Sequence, residues 1–177
     1  MPSPQLQKLG VRPLEATDAE ELYAVIEANR DHLARWMPWP AEQDLVGTIR
    51  FIAEAEQQQA GNNGFQAKIA PDGKIVGVAG FHSIDWVNCK ASLGYWLAED
   101  AQGKGTMTAV VRALVGYAFD EWDLHRLEIH CAPGNHRSRA IPERLGFREE
   151  GQLREAELVG GRYLDGVVYG LLFSDRR

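Results

Sequence analysis

The stretch LGYWLAEDAQGKGTM, residues 93–107, joins a strand pattern to a helix pattern through a turn that contains two glycines. Residues 91–98 (ASLGYWLA) alternate in the manner of a strand, and helical spacing returns at Met107 and runs to about Trp122. Residues 126–132 (RLEIHCA) alternate again. The sequence therefore predicts a strand–helix–strand unit, whose two strands are parallel neighbours if they share a sheet.

The turn QGKG, residues 102–105, places backbone N–H groups at the start of a helix, where they can bind an anion. Two glycines allow close approach of the main chain to a phosphate, and Lys104 adds positive charge. The same glycines would suit any strand-to-helix turn. Spacing excludes two other phosphate motifs, because Ala98 and Gly105 replace the required P-loop residues and Thr108 replaces the last glycine of a dinucleotide fingerprint.

Upstream, the pattern predicts a first strand over residues 9–14 and a helix opened by a TxxE capping box at Thr17 and Glu20. Two tryptophans and two prolines in residues 33–40 predict a bend. A second helix follows over about residues 42–59, with one apolar stripe formed by Leu45, Ile49, Ile52 and Ala53. Residues 65–70 and 75–81 then form, with residues 91–98, an antiparallel meander.

Downstream, a short helix is expected over about residues 137–145, with Asn135 or Ser138 as its N-terminal cap and Pro142 in about its first turn. A final hairpin turns at the glycine pair 160–161. The absence of linkers and repeats indicates one α/β domain over residues 1–177.

Composition excludes several classes of protein. Net charge is −6, from 19 Lys plus Arg against 25 Asp plus Glu, which argues against a nucleic-acid binder that neutralises phosphates. Two unpaired cysteines and no apolar run of membrane-span length predict a soluble, cytoplasmic protein. Five arginines within residues 137–154 fit either a solvated helix face or a seat for a phosphorylated ligand. No metal is expected, because His130 and Cys131 are adjacent on a strand and face opposite sides.

Three motifs in order resemble the GNAT superfamily of acetyl-coenzyme A dependent N-acetyltransferases. QGKGTM, residues 102–107, resembles its QxxGxG/A pyrophosphate loop, with Met107 where the loop usually has Gly or Ala. NHRSRAIPERLGF, residues 135–147, and LGYWLAEDAQGKG, residues 93–105, resemble the RimJ/RimL-type branch, which acetylates ribosomal proteins. Residues 151–157 and 163–169 match in character, so the resemblance covers nearly the whole chain.

The resemblance implies a GNAT fold: a single mixed, mostly antiparallel sheet of about seven strands flanked by helices. It also implies acetyl transfer from acetyl-coenzyme A to a primary amine, expected to be a protein N-terminal α-amine. Glu157 would be the general base, and Ser138 would protonate the leaving thiolate. The residues expected to bind acetyl-coenzyme A are Trp96, Leu97, Ala98, Gln102, Gly103, Lys104, Gly105, Thr106, Met107, Asn135 and Ser138.

The chemistry supports these roles independently. An amine that is protonated at neutral pH must lose a proton before it attacks a thioester, so a carboxylate such as Glu157 is required nearby. Without the resemblance, Glu157 would be a solvent-facing residue of an alternating strand. A main-chain N–H near Leu97 is the expected donor to the oxyanion. The acceptor pocket is expected to include Trp36, Trp39, Tyr163 and Asp165.

Other functions stay open at this point. The same scaffold could acetylate a small amine such as a polyamine or an aminoglycoside. It could instead be a non-catalytic acyl-coenzyme A sensor, or a nucleotide-binding regulatory module in which ATP competes at residues 102–107. A homodimer is a further expectation, whereas nucleic-acid and membrane partners are not expected.

Overall fold

Seven strands form one mixed sheet in the computed structural model, which describes residues 3–176. Their order across the sheet is β1-β2-β3-β4-β5-β7-β6. All neighbours are antiparallel except β4 and β5, which are parallel, so the predicted mixed and mostly antiparallel sheet is confirmed. The strands are β1 (Val11–Pro13), β2 (Gln66–Ile69), β3 (Gly77–Asp85), β4 (Lys90–Leu97), β5 (Arg126–Cys131), β6 (Arg148–Val159) and β7 (Arg162–Leu172).

Six α-helices and three short 3₁₀ turns flank this sheet within residues 3–176. The helix over Pro4–Lys8 was not expected; it begins after Ser3, whose hydroxyl accepts a hydrogen bond from the amide of Leu6. The helices are α1 (Pro4–Lys8), α2 (Ala19–Ala28), α3 (Arg30–Leu33), α4 (Leu45–Ala60), α5 (Thr106–Asp120) and α6 (His136–Arg144).

The predicted capping box at Thr17 and Glu20 does not form at the start of α2. A capping box forms instead at the 3₁₀ turn Ala16–Asp18 just before α2, where the Glu15 amide donates to the Asp18 carboxylate at 2.9 Å. Asp18 is buried, and its other oxygen pairs with Lys68 at 2.5 Å. One carboxylate thus serves both the capping box and an ion pair with β2.

The buried stripe of α4 is also different from the predicted one. Asp44 caps the helix by accepting from the amide of Gly47, and the buried face carries Thr48, Ile52 and Ala55. Ile49, expected inside, is 51% exposed. Neighbouring helix positions are about 100° apart, so Ile49 cannot share the face of Thr48.

Helix α5 packs its apolar face on the sheet, as its spacing predicts. Its buried residues meet Leu93 and Leu97 of β4 and Leu127 of β5 in the main core. This packing fixes the first turn of α5 at the end of β4, which positions residues 102–105. The α5 residues in this core include Val110, Val111, Leu114 and Ala118.

No helix among residues 3–176 combines the length and apolar character needed to cross a bilayer.

Candidate active site

A groove opens where the two parallel strands of the sheet separate. The pairing of β4 with β5 ends at Leu93 and Ile129, although both strands continue beyond these residues. The groove has a volume of about 2080 Å³. Backbone groups of β4 that face the gap therefore lack a strand partner.

Strand alternation decides which backbone groups face this gap. The amide of Ala98 donates to the carbonyl of Val76 beside β3 at 2.8 Å, so Trp96, two residues earlier, also directs its backbone toward β3. Leu97 and Tyr95 direct theirs toward the gap. Of the three residues whose backbone is expected to contact the cofactor, Leu97 faces the gap, as Tyr95 also does, whereas Trp96 and Ala98 face β3; the Trp96 side chain lines the groove. The contact with the cofactor stays a prediction.

The turn over residues 102–105, called the glycine turn below, lies at one end of the groove and has the geometry of an anion-binding site. Gly103 and Gly105 have φ angles of +77° and +78°, and a Cβ at either position would face open space. Gly105 caps α5 without any side-chain hydrogen bond, so the first amides of a 15-residue helix point outward. These features fit a diphosphate, and Thr106 lies beside them in the groove wall.

The side chains of the turn have different roles. Gln102 is held from three directions, by His32 at 2.7 Å, by the Leu97 carbonyl at 3.3 Å and by Arg137 at 2.8 Å. Met107 is only 6% exposed and packs in the core, so its bulk does not obstruct the turn. Lys104 is exposed and lies outside the groove lining.

The start of α6 forms another wall of the groove. The Asn135 side chain accepts a hydrogen bond from the Ser138 amide at 3.2 Å, so Asn135 is the helix cap. The Ser138 hydroxyl lies 3.2 Å from Sγ of Cys131 and 3.5 Å from the hydroxyl of Tyr95. Desolvation raises the pKa of the Cys131 thiol, which favours an uncharged thiol at neutral pH.

Pro142 is the seventh residue of α6 and not part of its first turn. Proline has no N–H to donate to the carbonyl of Ser138, four residues earlier. The Tyr95 hydroxyl donates to that carbonyl instead, at 3.1 Å. Tyr95 is not among the residues predicted from the sequence, although the four-residue spacing between Ser138 and Pro142 indicates a carbonyl without its helical donor. Tyr95 thus fixes α6 to β4.

Replacement of Tyr95 by phenylalanine is expected to lower the free energy of unfolding by about 1 kcal/mol, because the Ser138 carbonyl loses its donor. Guanidinium unfolding measures this as a lower midpoint at unchanged slope. Tyr163→Phe is the matched control, since Tyr163 is 63% exposed. Equal midpoints for Tyr95→Phe and the wild type would contradict the assigned hydrogen bond.

Glu157 enters the groove through an irregularity in β6. Between Leu153 and Glu157 the pairing of β6 with β7 shifts, and Glu155 adopts a φ of +53°. Asp165 of β7 accepts from the Glu155 amide at 2.8 Å and from Gln152 at 2.5 Å. The Glu155 amide first, and Gln152 next, lower the pKa of Asp165. The bulge directs Glu157 into the groove lining.

Asp165 therefore holds the bulge of β6 in place, and its expected contact with an acceptor ammonium stays a prediction. Asp165→Ala should lower kcat about tenfold by displacing Glu157, with coenzyme A affinity unchanged. Steady-state kinetics and calorimetry measure the two quantities. Asp85→Ala is the matched control, because Asp85 makes the same kind of contact to Asn88 in a turn outside the groove lining. Equal kcat values for the two variants would refute this role.

The aromatic residues expected around the acceptor are only partly brought together. Trp36 and Trp39 line the groove; the Trp39 ring lies 6.1 Å from that of Trp96, and Trp36 packs against Gly134. Tyr163 lies outside the groove lining and is 63% exposed. The bend over residues 33–40, which follows α3, thus covers one side of the groove.

Residues 3–176 contain no group of three or more His, Cys, Asp or Glu arranged to hold a metal ion. His130 and Cys131 face opposite sides of β5: Cys131 is buried, whereas His130 is exposed.

Comparison with known proteins agrees with this geometry. A family model described as acetyltransferase (GNAT) domain matches residues 8–148. The chain is 40% identical to the Bacillus subtilis (strain 168) protein named "Putative ribosomal N-acetyltransferase YdaF", over 94% of this chain and 92% of that one. It is 30% identical to the ribosomal protein uS5-alanine N-acetyltransferase of Escherichia coli (strain K12), over 95% and 89% of the two chains.

A solved structure extends the comparison to the fold. RimL, a ribosomal L7/L12 alpha-N-protein acetyltransferase solved in complex with coenzyme A, superposes with a TM-score of 0.89. The two chains are 25% identical, and the match covers 94% of each. The chain therefore belongs to the GNAT family of acetyltransferases, which confirms the N-acetyltransferase class and the co-substrate, acetyl-coenzyme A, that the sequence predicts.

Proposed function

We propose that the protein transfers an acetyl group from acetyl-coenzyme A to the α-amine of a protein N-terminus, with Glu157 as general base. The observation that carries this proposal is the position of Glu157 in the wall of the groove that the separation of β4 and β5 opens. The names of the relatives, which refer to ribosomal proteins, support a ribosomal protein as the acceptor.

Binding depends on the two ends of the groove. The amides around Gly103 and Gly105 hold the diphosphate at the helix start, where the α5 dipole favours negative charge. The backbone of Leu97 pairs with the pantetheine arm as a strand partner would. Bound acetyl-coenzyme A supplies a thioester, and these contacts direct it toward the point where β4 and β5 separate.

The reaction then requires three functions of the chain. Glu157 accepts the proton that the acceptor ammonium must lose before its nitrogen attacks the thioester carbon. The Tyr95 amide faces the gap and lies nearer than the Leu97 amide to the point where β4 and β5 separate, so it donates to the carbonyl oxygen as negative charge develops there. The Ser138 hydroxyl donates to the departing thiolate. That thiolate is a fair leaving group, so Ser138 contributes less than Glu157.

The acceptor class is tested by mixing the enzyme and acetyl-coenzyme A with peptides that carry ribosomal-protein N-termini, with polyamines and with aminoglycosides. Thiol release gives kcat/KM, and mass spectrometry locates the acetyl group. We expect the highest kcat/KM for a peptide acetylated at its α-amine. A higher kcat/KM for a polyamine or an aminoglycoside would replace this proposal by the small-amine function. Coenzyme A binding without thiol release from any amine would indicate a sensor.

Two expectations stay predictions of the sequence. These are the homodimer and the cytoplasmic location.

A further inference from the structure

A histidine that the proposed reaction has not used lies at the point where β4 and β5 separate. The ring of His82 packs over Gly94, and a Cβ at Gly94 would lie only 2.3 Å from its Nε2 atom. Gly94 follows Leu93, the last β4 residue that pairs with β5. The lack of a side chain at Gly94 thus gives the ring its place at the apex of the gap.

A local irregularity in β3 fixes this placement. The pairing of β3 with β4 shifts between Phe81 and Ile84, so His82 lies in a bulge. Gln58 of α4 donates to the Phe81 carbonyl at 2.6 Å and to the His82 carbonyl at 2.9 Å. The backbone of His82 is therefore held in place, whereas its ring nitrogens accept or donate no hydrogen bond within residues 3–176.

Desolvation is the main reason why the His82 ring favours its neutral form. It lowers the pKa of His82, the electrostatic effect of His130 lowers it further, and the carboxylate of Glu157 raises it. His130 projects from β5 and is paired with Glu128 at 3.2 Å, and α4 contributes Arg50 and Glu54 to the same groove. An uncharged imidazole at neutral pH can accept a proton.

We infer that His82 is a second proton-transfer residue of this site, which takes from Glu157 the proton that the acceptor ammonium has released. The inference rests on the proposed role of Glu157. In the first transfer, an N–H bond of the ammonium breaks and an O–H bond forms on Glu157. In the second, that O–H bond breaks and an N–H bond forms on the His82 ring. The imidazolium returns the proton to water, so charge and protons balance and Glu157 is ready for the next turnover.

Kinetics against pH provide the first test. The wild-type kcat at saturating substrates should fall as the pH drops through the pKa of His82, because a protonated ring cannot accept the proton. His82→Gln should lower kcat about tenfold and remove this dependence, with coenzyme A affinity unchanged. His125→Gln is the matched control, since His125 is exposed and outside the groove lining. Wild-type kcat and an unchanged profile in His82→Gln would overturn the inference.

Titration of the His82 ring by NMR provides a second test that needs no turnover. His130→Gln removes the imidazole that lowers the pKa of His82, so this pKa should rise. Glu157→Gln removes a negative charge, so it should fall. A His82 pKa that neither variant moves would overturn the relay even if His82→Gln failed to fold. Loss of activity in Glu157→Gln together with normal kinetics in His82→Gln would overturn the relay alone and leave Glu157 as the base.

Discussion

Glu157→Gln is expected to lower kcat about 10²- to 10⁴-fold, the range over which a positioned general base acts. The amide keeps the size of the side chain but cannot accept a proton from the acceptor ammonium. The affinity for coenzyme A should be unchanged, because Glu157 lies on β6, away from the glycine turn at the start of α5. The loss should shrink as the pH rises, since a growing fraction of the acceptor amine is already deprotonated.

Pre-steady-state thiol release and calorimetry separate the two quantities. Glu155→Gln is the matched control: it lies two residues away on the same bulge, and its side chain is outside the groove lining. We expect the control to retain wild-type kcat. If Glu157→Gln turned over at the wild-type rate at every pH, the base would have to be another group, and the proposed mechanism would fail.

The glycine turn could be predicted from sequence because its determinants are local. A helix start, a positive φ at Gly105 and an adjacent strand end are all properties of a short segment, and the structure places them together. The strand–helix–strand unit has the same origin, since the periodicity of residues 91–132 changes at the turn. Features that are set within a short segment can therefore be predicted from the sequence of that segment.

The bulges that direct His82 and Glu157 could not be predicted in this way. Each arises from a shift in pairing between two strands, and register depends on contacts between distant residues. Asp165 illustrates the difference: it looks like a free carboxylate beside the acceptor, but cross-strand geometry commits both of its oxygens to Gln152 and Glu155. The prediction that Ile49 is buried was wrong for a related reason, because the packing partner of α4 sets which face of that helix is buried.

Gly105→Ala is expected to weaken coenzyme A binding about 10- to 100-fold, which corresponds to losing about one charge-assisted hydrogen bond. The added methyl group would project into the open space that the helix start keeps for the diphosphate. It would hold phosphate oxygens away from the first amides of α5, and the attraction of the helix dipole falls off within one turn.

The strain of the substitution must be separated from its effect on binding. Alanine at a positive φ costs about 1–2 kcal/mol of stability wherever it occurs. Gly73 has a φ of +79°, and a Cβ there also meets no atom within 4 Å, but it lies in an exposed turn outside the groove lining. Gly73→Ala should therefore match Gly105→Ala in loss of unfolding free energy while it binds coenzyme A as the wild type does. Equal affinities in the two variants would mean that the turn does not hold the diphosphate, and the direction assigned to the thioester would lose its basis.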